Sequence, residues 1–182
     1  LQVSQIALGT GNFGTGWGHG ADARESEAIF NAYAEAGGNF IDTADIYQFG
    51  QSEEILGSLL AGRRENFVLA TKFTRGAAAD ANRLVPGNSR KAMTASVEGS
   101  LKRLKTDRID IYWAHYPDGV TLAEEIVRGF EDLARAGKIL YAALSNFPAW
   151  RLARTVTLAE LGHAVPIAAA QFQHSLVHRA PE

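Results

Sequence analysis

The chain has no cysteine, and its one methionine, Met93, is internal. Without thiols there is no disulfide framework and no thiolate metal site, and a reducing, cytoplasmic setting is the expectation. Charge of one sign is lacking too: 18 Lys and Arg stand against 20 Asp and Glu. That balance leaves no footprint for nucleic acid or an anionic membrane, so the expected partner is a small molecule. No window approaches the roughly 18 apolar residues of a membrane span. The opening LQVSQIALGT has neither a basic leader nor a long apolar run. Leu1 stands where an initiator Met would, and the expectation is that something precedes it.

What the chain does have is core. At 182 residues and 46% hydrophobic content it fits one domain, 1–182, better than two. Six short apolar runs read as strands: VSQIALGT (3–10), NFIDTA (39–44), FVLATKF (67–73), IDIYWAH (109–115), ILYAALSN (139–146) and PIAAAQFQ (166–173). Helix-length amphipathic stretches separate them. Asp22 and Glu25 predict a capping box for a helix to Ala36 with Ile29, Ala32, Tyr33 and Ala36 on its apolar stripe. A second helix starts at Ser52 and buries Ile55, Leu56, Leu59 and Leu60. A third, after a longer loop through Pro86-Gly87-Asn88, is capped by Ser89 and carries Met93, Val97 and Leu101. Thr121 and Glu124 read as the box of a fourth, with Val127, Phe130 and Leu133 inward, and a fifth begins near Pro148.

Strands that are apolar throughout, rather than alternating, indicate a parallel sheet covered by helices. The loop GNFGTGWGHG (11–20) contains Gly11, Gly14, Gly16, Gly18 and Gly20, yet no helix starts until Asp22, so a dinucleotide-binding glycine turn fits poorly. A uniform βα repeat with polar residues at several strand ends favours a (β/α)8 TIM barrel, of which about six of eight units are present. Ending at HRAPE would leave out two units, and the expectation is a fragment of a longer protein.

Asp42, Tyr47, Lys72 and His115 each sit where an apolar run turns polar, at the strand ends where such folds keep their chemistry. A phenol has an ordinary pKa of about 10 and is a weak acid at neutral pH; an ammonium within hydrogen-bond reach favours its anion. Lys72 is placed to be that ammonium, and Asp42 to hold it inward. A Tyr acid beside a His donor suits protonation of a carbonyl oxygen while hydride arrives at carbon. No side chain supplies hydride, so a nicotinamide cofactor is implied.

LGTGNFG (8–14), FIDTADIY with the GQSEEILG that follows (40–57), ATKF (70–73), SLKRLKTDRIDIYWAH (100–115), GKILYAALSNF (137–147) and AAAQFQHSL (168–176) together resemble the aldo-keto reductase family. The likeness is strongest to its branch related to potassium-channel β-subunits, although a His stands at the fourth catalytic position. The resemblance implies a (β/α)8 barrel that reduces an aldehyde or ketone with NADPH, NADH being left open. It places the catalytic tetrad on Asp42, Tyr47, Lys72 and His115, with Tyr47 as acid. It sets the nicotinamide carboxamide against Ser145, Asn146 and Gln171, with Gly9, Thr10 and Asp42 beside the ribose.

Each residue taken singly has a plainer reading. Asp42 or, better, Asp45 caps a loop, Tyr47 packs, and His115 is structural. Ser145-Asn146 is a helix entry, and Gln171 is a core amide. Lys72 resists such a reading, because burying it without a charged partner is costly. Lys102, Arg103, Lys105 and Arg108 read as the solvated end of the third helix; His163, His174 and His178 receive no role. Trp17, Phe13, Phe73 and Tyr116 are candidates for lining a substrate pocket. Two other functions stay open: a cofactor-holding regulatory subunit of the channel-β type, and a metal-dependent hydrolase with Asp42 and His115 as ligands. Oligomeric state is not legible.

Overall fold

Strands that are apolar at every position need cover on both faces. The computed structural model describes residues 1–77 and 86–179; part of the loop after the third strand and the last three residues of HRAPE lie outside the described residues. Strand and helix alternate: β1 (Leu8–Gly9), α1 (Ala23–Glu35), β2 (Phe40–Asp42), α2 (Gln51–Leu59), β3 (Val68–Phe73), α3 (Arg90–Leu104), β4 (Ile109–Ala114), α4 (Ala123–Arg135), β5 (Ile139–Ser145), α5 (Ala149–Leu161) and β6 (Ile167–Gln171). Every strand pairs in parallel with its sequence neighbour, in the order β1 to β6.

The sheet curls. Gln171 Nε2 on β6 donates to Asp42 Oδ2 on β2 at 3.3 Å, although four inter-strand steps would part those strands by roughly 19 Å in a flat sheet. The architecture is therefore a partial (β/α)8 barrel with six of its parallel strands. Its concave face carries Phe40, Val68, Ala70, Ile111, Trp113, Tyr141, Ala143 and Ala169. On the convex face Ile41, Leu69, Phe73, Tyr112 and Leu144 meet Phe30, Leu56, Met93, Val97, Ile126 and Phe130. Phe73 stacks on Tyr112 at 4.9 Å between centroids, with the Phe130 edge against both.

Several local expectations are met and others corrected. The Asp22–Glu25 box forms, and Ser89 caps α3 through the Ala92 amide. The Thr121–Glu124 box does not: Leu122 is the N-cap without a side-chain bond, because the Asp118 carboxylate takes the Thr121 hydroxyl and amide first. β1 is shorter than the run 3–10. Ser4 bonds Asn39 and Tyr33, and the Tyr33 hydroxyl donates to Ile6 O, so side chains hold this segment where a ladder was expected. In α1 the buried apolar residue is Phe30, while Ile29 is 45% exposed. The basic residues at the end of α3 are not simply solvated. Arg103 Nε meets the fully buried Glu53 carboxylate at 2.7 Å, Arg108 pairs with Glu65, and Lys105 bonds Ser58.

Helices α2 and α3 come close where that pair forms. A Cβ on Gly57 would lie 2.4 Å from Arg103 O, a backbone atom with little freedom to yield. Gly57→Ala is accordingly expected to destabilise the protein by about 1–3 kcal/mol through overpacking. Urea unfolding reads this as a lower midpoint at unchanged slope; an unmoved midpoint would show that the two helices separate freely.

Candidate active site

Side chains alternate across a strand, so residues two apart share a face. Asp42 pairs in register with Ala70, Lys72 with Trp113, and Ser145 with Gln171. From the concave residues Phe40, Ala70, Trp113, Ala143 and Ala169, one further step of two reaches Asp42, Lys72, His115, Ser145 and Gln171. Five polar side chains thereby meet at the C-terminal rim of the inner face.

Lys72 is at their centre, its side chain only 1% exposed. Its ammonium donates to Asp42 Oδ2 at 2.6 Å, Thr43 O at 2.8 Å and Tyr47 Oη at 3.2 Å. Three donors meet three oxygens, which satisfies a buried cation. Tyr47 reaches this position through unusual backbone. Gln48 and Phe49 follow it with φ of +52° and +55°, the left-handed region that non-glycine residues seldom occupy. Burial of Gln48 holds the bend: Trp17 N donates to its Oε1 at 2.8 Å, and its Nε2 donates to Gly11 O at 3.1 Å. The glycine-rich loop is thus laid over Tyr47. Gly20, at φ +126°, would put a Cβ 2.1 Å from Gly14 O, so glycine here serves close backbone packing.

His115 presents its ring to Tyr47 edge-on, with centroids 6.0 Å apart, and stacks on Tyr116 at 4.5 Å. Its Nδ1 is buried with no hydrogen-bond partner among the described residues. Burial first, then the Lys72 ammonium and the Arg75 guanidinium, push its pKa down to about 3. The imidazole is therefore neutral at physiological pH.

The other polar residues face the same space. Asn146, at φ +60°, donates from Nδ2 to His115 O at 3.1 Å and Ser145 Oγ at 3.0 Å. Asp42 Oδ1 is buried without a hydrogen-bond partner among the described residues, and Gln171 Nε2 donates to Oδ2 of the same carboxylate. Donors and acceptors at adjacent strand ends fit a planar carboxamide, and the open carboxylate oxygen fits a sugar hydroxyl. A Cβ on Gly9 would meet nothing within 4 Å. Next to it the Thr10 hydroxyl donates to Asp42 O at 3.2 Å and accepts from Ser52, which locks the end of β2.

Trp17 and Tyr116 border the site, Trp17 lying edge-on to Tyr47 at 6.2 Å. Phe13 and Phe73 do not; both are buried in the core, because alternation turns Phe73 to the face opposite Lys72. Glu53 and Arg75 received no role from the sequence, and Asp45 was read only as a loop cap. Glu53 shares a helix face with Leu56, Gly57 and Leu60, and that spacing was an available signal. Asp45 had none. It is 1% exposed, and burial first, then Glu53, raise its pKa to about 7, against Arg103 and the Ile46 and Gly76 amides. Arg75 lies just past β3. Among the described residues no three His, Asp or Glu side chains gather as metal ligands, and no helix is long and apolar enough to cross a membrane.

The profile described as the Aldo/keto reductase family matches residues 5–182. The chain is similar to an aryl-alcohol dehydrogenase (NADP(+)) of Phanerodontia chrysosporium, at 37% identity over 91% of this chain and 46% of that protein. It is 35% identical to a norsolorinic acid reductase of Aspergillus flavus over 98% of this chain and 48% of that one. To the uncharacterized oxidoreductase YrpG of Bacillus subtilis it is 36% identical over 100% of this chain and 57% of the relative. The chain spans about half the length of the curated relatives it matches.

Asp45 makes stability depend on pH. Its native pKa of about 7 lies above the ordinary 3.8, so the folded state binds the extra proton. The stabilisation is complete below about pH 4 and is lost as pH rises through 7, up to about 4 kcal/mol in all. Asp45→Asn should flatten this slope and raise the urea midpoint at pH 8 relative to the parent. Parallel pH dependence in the two proteins would refute it.

Proposed function

This chain belongs to the aldo/keto reductase family, and we propose that it reduces an aldehyde or ketone to an alcohol with NADPH, Tyr47 delivering the proton. The observation that carries this reading is that one buried ammonium touches both the Tyr47 hydroxyl and the Asp42 carboxylate. As the phenol gives up its proton to a carbonyl oxygen, Lys72 stabilises the charge left on Oη, and Asp42 keeps Lys72 aimed there. His115, being neutral, donates a hydrogen bond to the same substrate oxygen and orients it without competing as the acid. Ser145, Asn146 and Gln171 take the carboxamide and Asp42 Oδ1 a ribose hydroxyl, with Gly9 leaving room beside them. Bound nicotinamide supplies the hydride that no side chain carries. NADP rather than NAD is favoured by the cofactor in the name of the Phanerodontia relative.

Oxidation of NADPH and NADH by the natural gene product, assayed across aldehydes and ketones, tests the proposal. Tyr47→Phe should cut kcat by roughly 10²–10⁴-fold, the usual contribution of a positioned acid, and leave cofactor affinity unchanged. Undiminished turnover in that variant sinks the assignment. Tight cofactor binding with no carbonyl turned over would favour the regulatory-subunit reading.

A second outcome concerns pH. With the His115 pKa held to about 3, kcat/KM should show no inflection near 6.5 that belongs to this residue. Such an inflection, present in the parent and missing in His115→Gln, would mean that the imidazole titrates and would overturn its neutral role.

A further inference from the structure

One side of the site is a continuous wall of rings. Phe49, Trp17, Tyr47, His115 and Tyr116 succeed one another at centroid separations of 6.4, 6.2, 6.0 and 4.5 Å. Trp17 and Phe49 are 37% and 42% exposed, although apolar rings of this size gain most from being covered. At the Tyr116 end the wall stops at a cation. The Arg75 guanidinium carbon lies 4.5 Å over the Tyr116 ring, three residues along the chain from Lys72.

Arg75 is exposed and forms no ion pair with a described residue. Two described carboxylates around the site have other partners: Asp42 holds Lys72, and Asp118 accepts from the Asn88, Val120 and Thr121 amides. A cation–π contact uses none of the guanidinium N–H groups as conventional donors to oxygen, and their fork matches a carboxylate. The charge also reaches the site itself, being one of the two cations that depress the His115 pKa.

We propose that Arg75 is a specificity residue that binds an anionic oxygen group, a carboxylate or an ionised phenol, on an aromatic carbonyl substrate lying along this ring wall. The inference rests on the reductase reading of the same site and adds the substrate class. Ring contact accounts for the aromatic body, the Tyr47–His115 pair for the carbonyl, and the exposed guanidinium for an acidic substituent on the side away from Trp17.

The test compares 4-carboxybenzaldehyde with its neutral methyl ester, using the natural gene product and NADPH. Arg75→Gln should lower kcat/KM for the acid roughly ten- to a hundred-fold, mainly through KM, and leave the ester within about twofold. Arg75→Lys, which keeps the charge and loses the fork, should fall between. Raising the salt concentration should shrink the preference of the parent for the acid, since Arg75 is exposed. Equal losses for acid and ester, or none, would overturn the proposal while leaving carbonyl reduction in place. No NADPH oxidation by the parent with either aldehyde would instead sink the reductase reading and leave the anion site to be judged by binding alone. A readout free of turnover is quenching of tryptophan fluorescence, Trp17 being in the wall, by benzene-1,4-dicarboxylate. Arg75→Gln should weaken that binding by the same factor, and unchanged affinity, or no binding by the parent, counts against the site.

Discussion

The ion pair between Lys72 Nζ and Asp42 Oδ2, at 2.6 Å, is the constraint on which the rest of the site depends. An ammonium buried in an apolar strand without a counter-charge costs several kcal/mol, so β3 requires a carboxylate from β2 at this level. Once that pair forms, the remaining donors of Lys72 fall on Thr43 O and Tyr47 Oη, which sets where the phenol stands. The same carboxylate oxygen accepts from Gln171 Nε2, so it also ties β6 to β2 across the inner face. Charge neutralisation and the position of the proposed acid both follow from this contact, and a hydrogen bond to the same oxygen spans the curled sheet.

A second constraint acts on the backbone around it. Gln48 and Phe49 occupy left-handed conformations of a kind that persists only where surroundings over-determine them. Here the buried Gln48 amide does so by bridging the Trp17 amide and Gly11 carbonyl. The glycine-rich loop is therefore a cover over Tyr47, and it brings Trp17 into the ring wall. Beneath the site, Glu53 links Thr71 to Arg103 at 2.6 and 2.7 Å, with Asp45 close by. Polar groups so placed join helix α2 to β3 and α3, and they explain why residues that look like surface charge are held inside.

Much of the fold is legible in the chain because its signals are local. Continuous apolar runs, the Asp22–Glu25 box and Ser89 before α3 depend on near neighbours only, and the elements appear where those signals stand. Errors occur where distant groups compete. Thr121 has the right spacing to Glu124 but is claimed by Asp118. The segment before Leu8 is apolar enough for a longer strand, yet Ser4, Tyr33 and Asn39 hold it by side chains. Phe73 and Tyr116 both look like pocket residues, and strand alternation puts the first in the core while the second stacks on His115.

Residue types at successive strand ends, taken together with the family resemblance, singled out Asp42, Tyr47, Lys72 and His115 as a group, and a lysine inside an apolar run demands a charged partner. Sequence spacing alone also implied the parallel repeat and its barrel closure. It carried no information on which side chains remain unpartnered. The depressed pKa of His115, the raised pKa of Asp45 and the placing of the Arg75 guanidinium over Tyr116 depend on burial and on groups brought from other strands. Those are properties of three-dimensional neighbourhoods, where the local dielectric and the distance between charges are decided only when the sheet has curled.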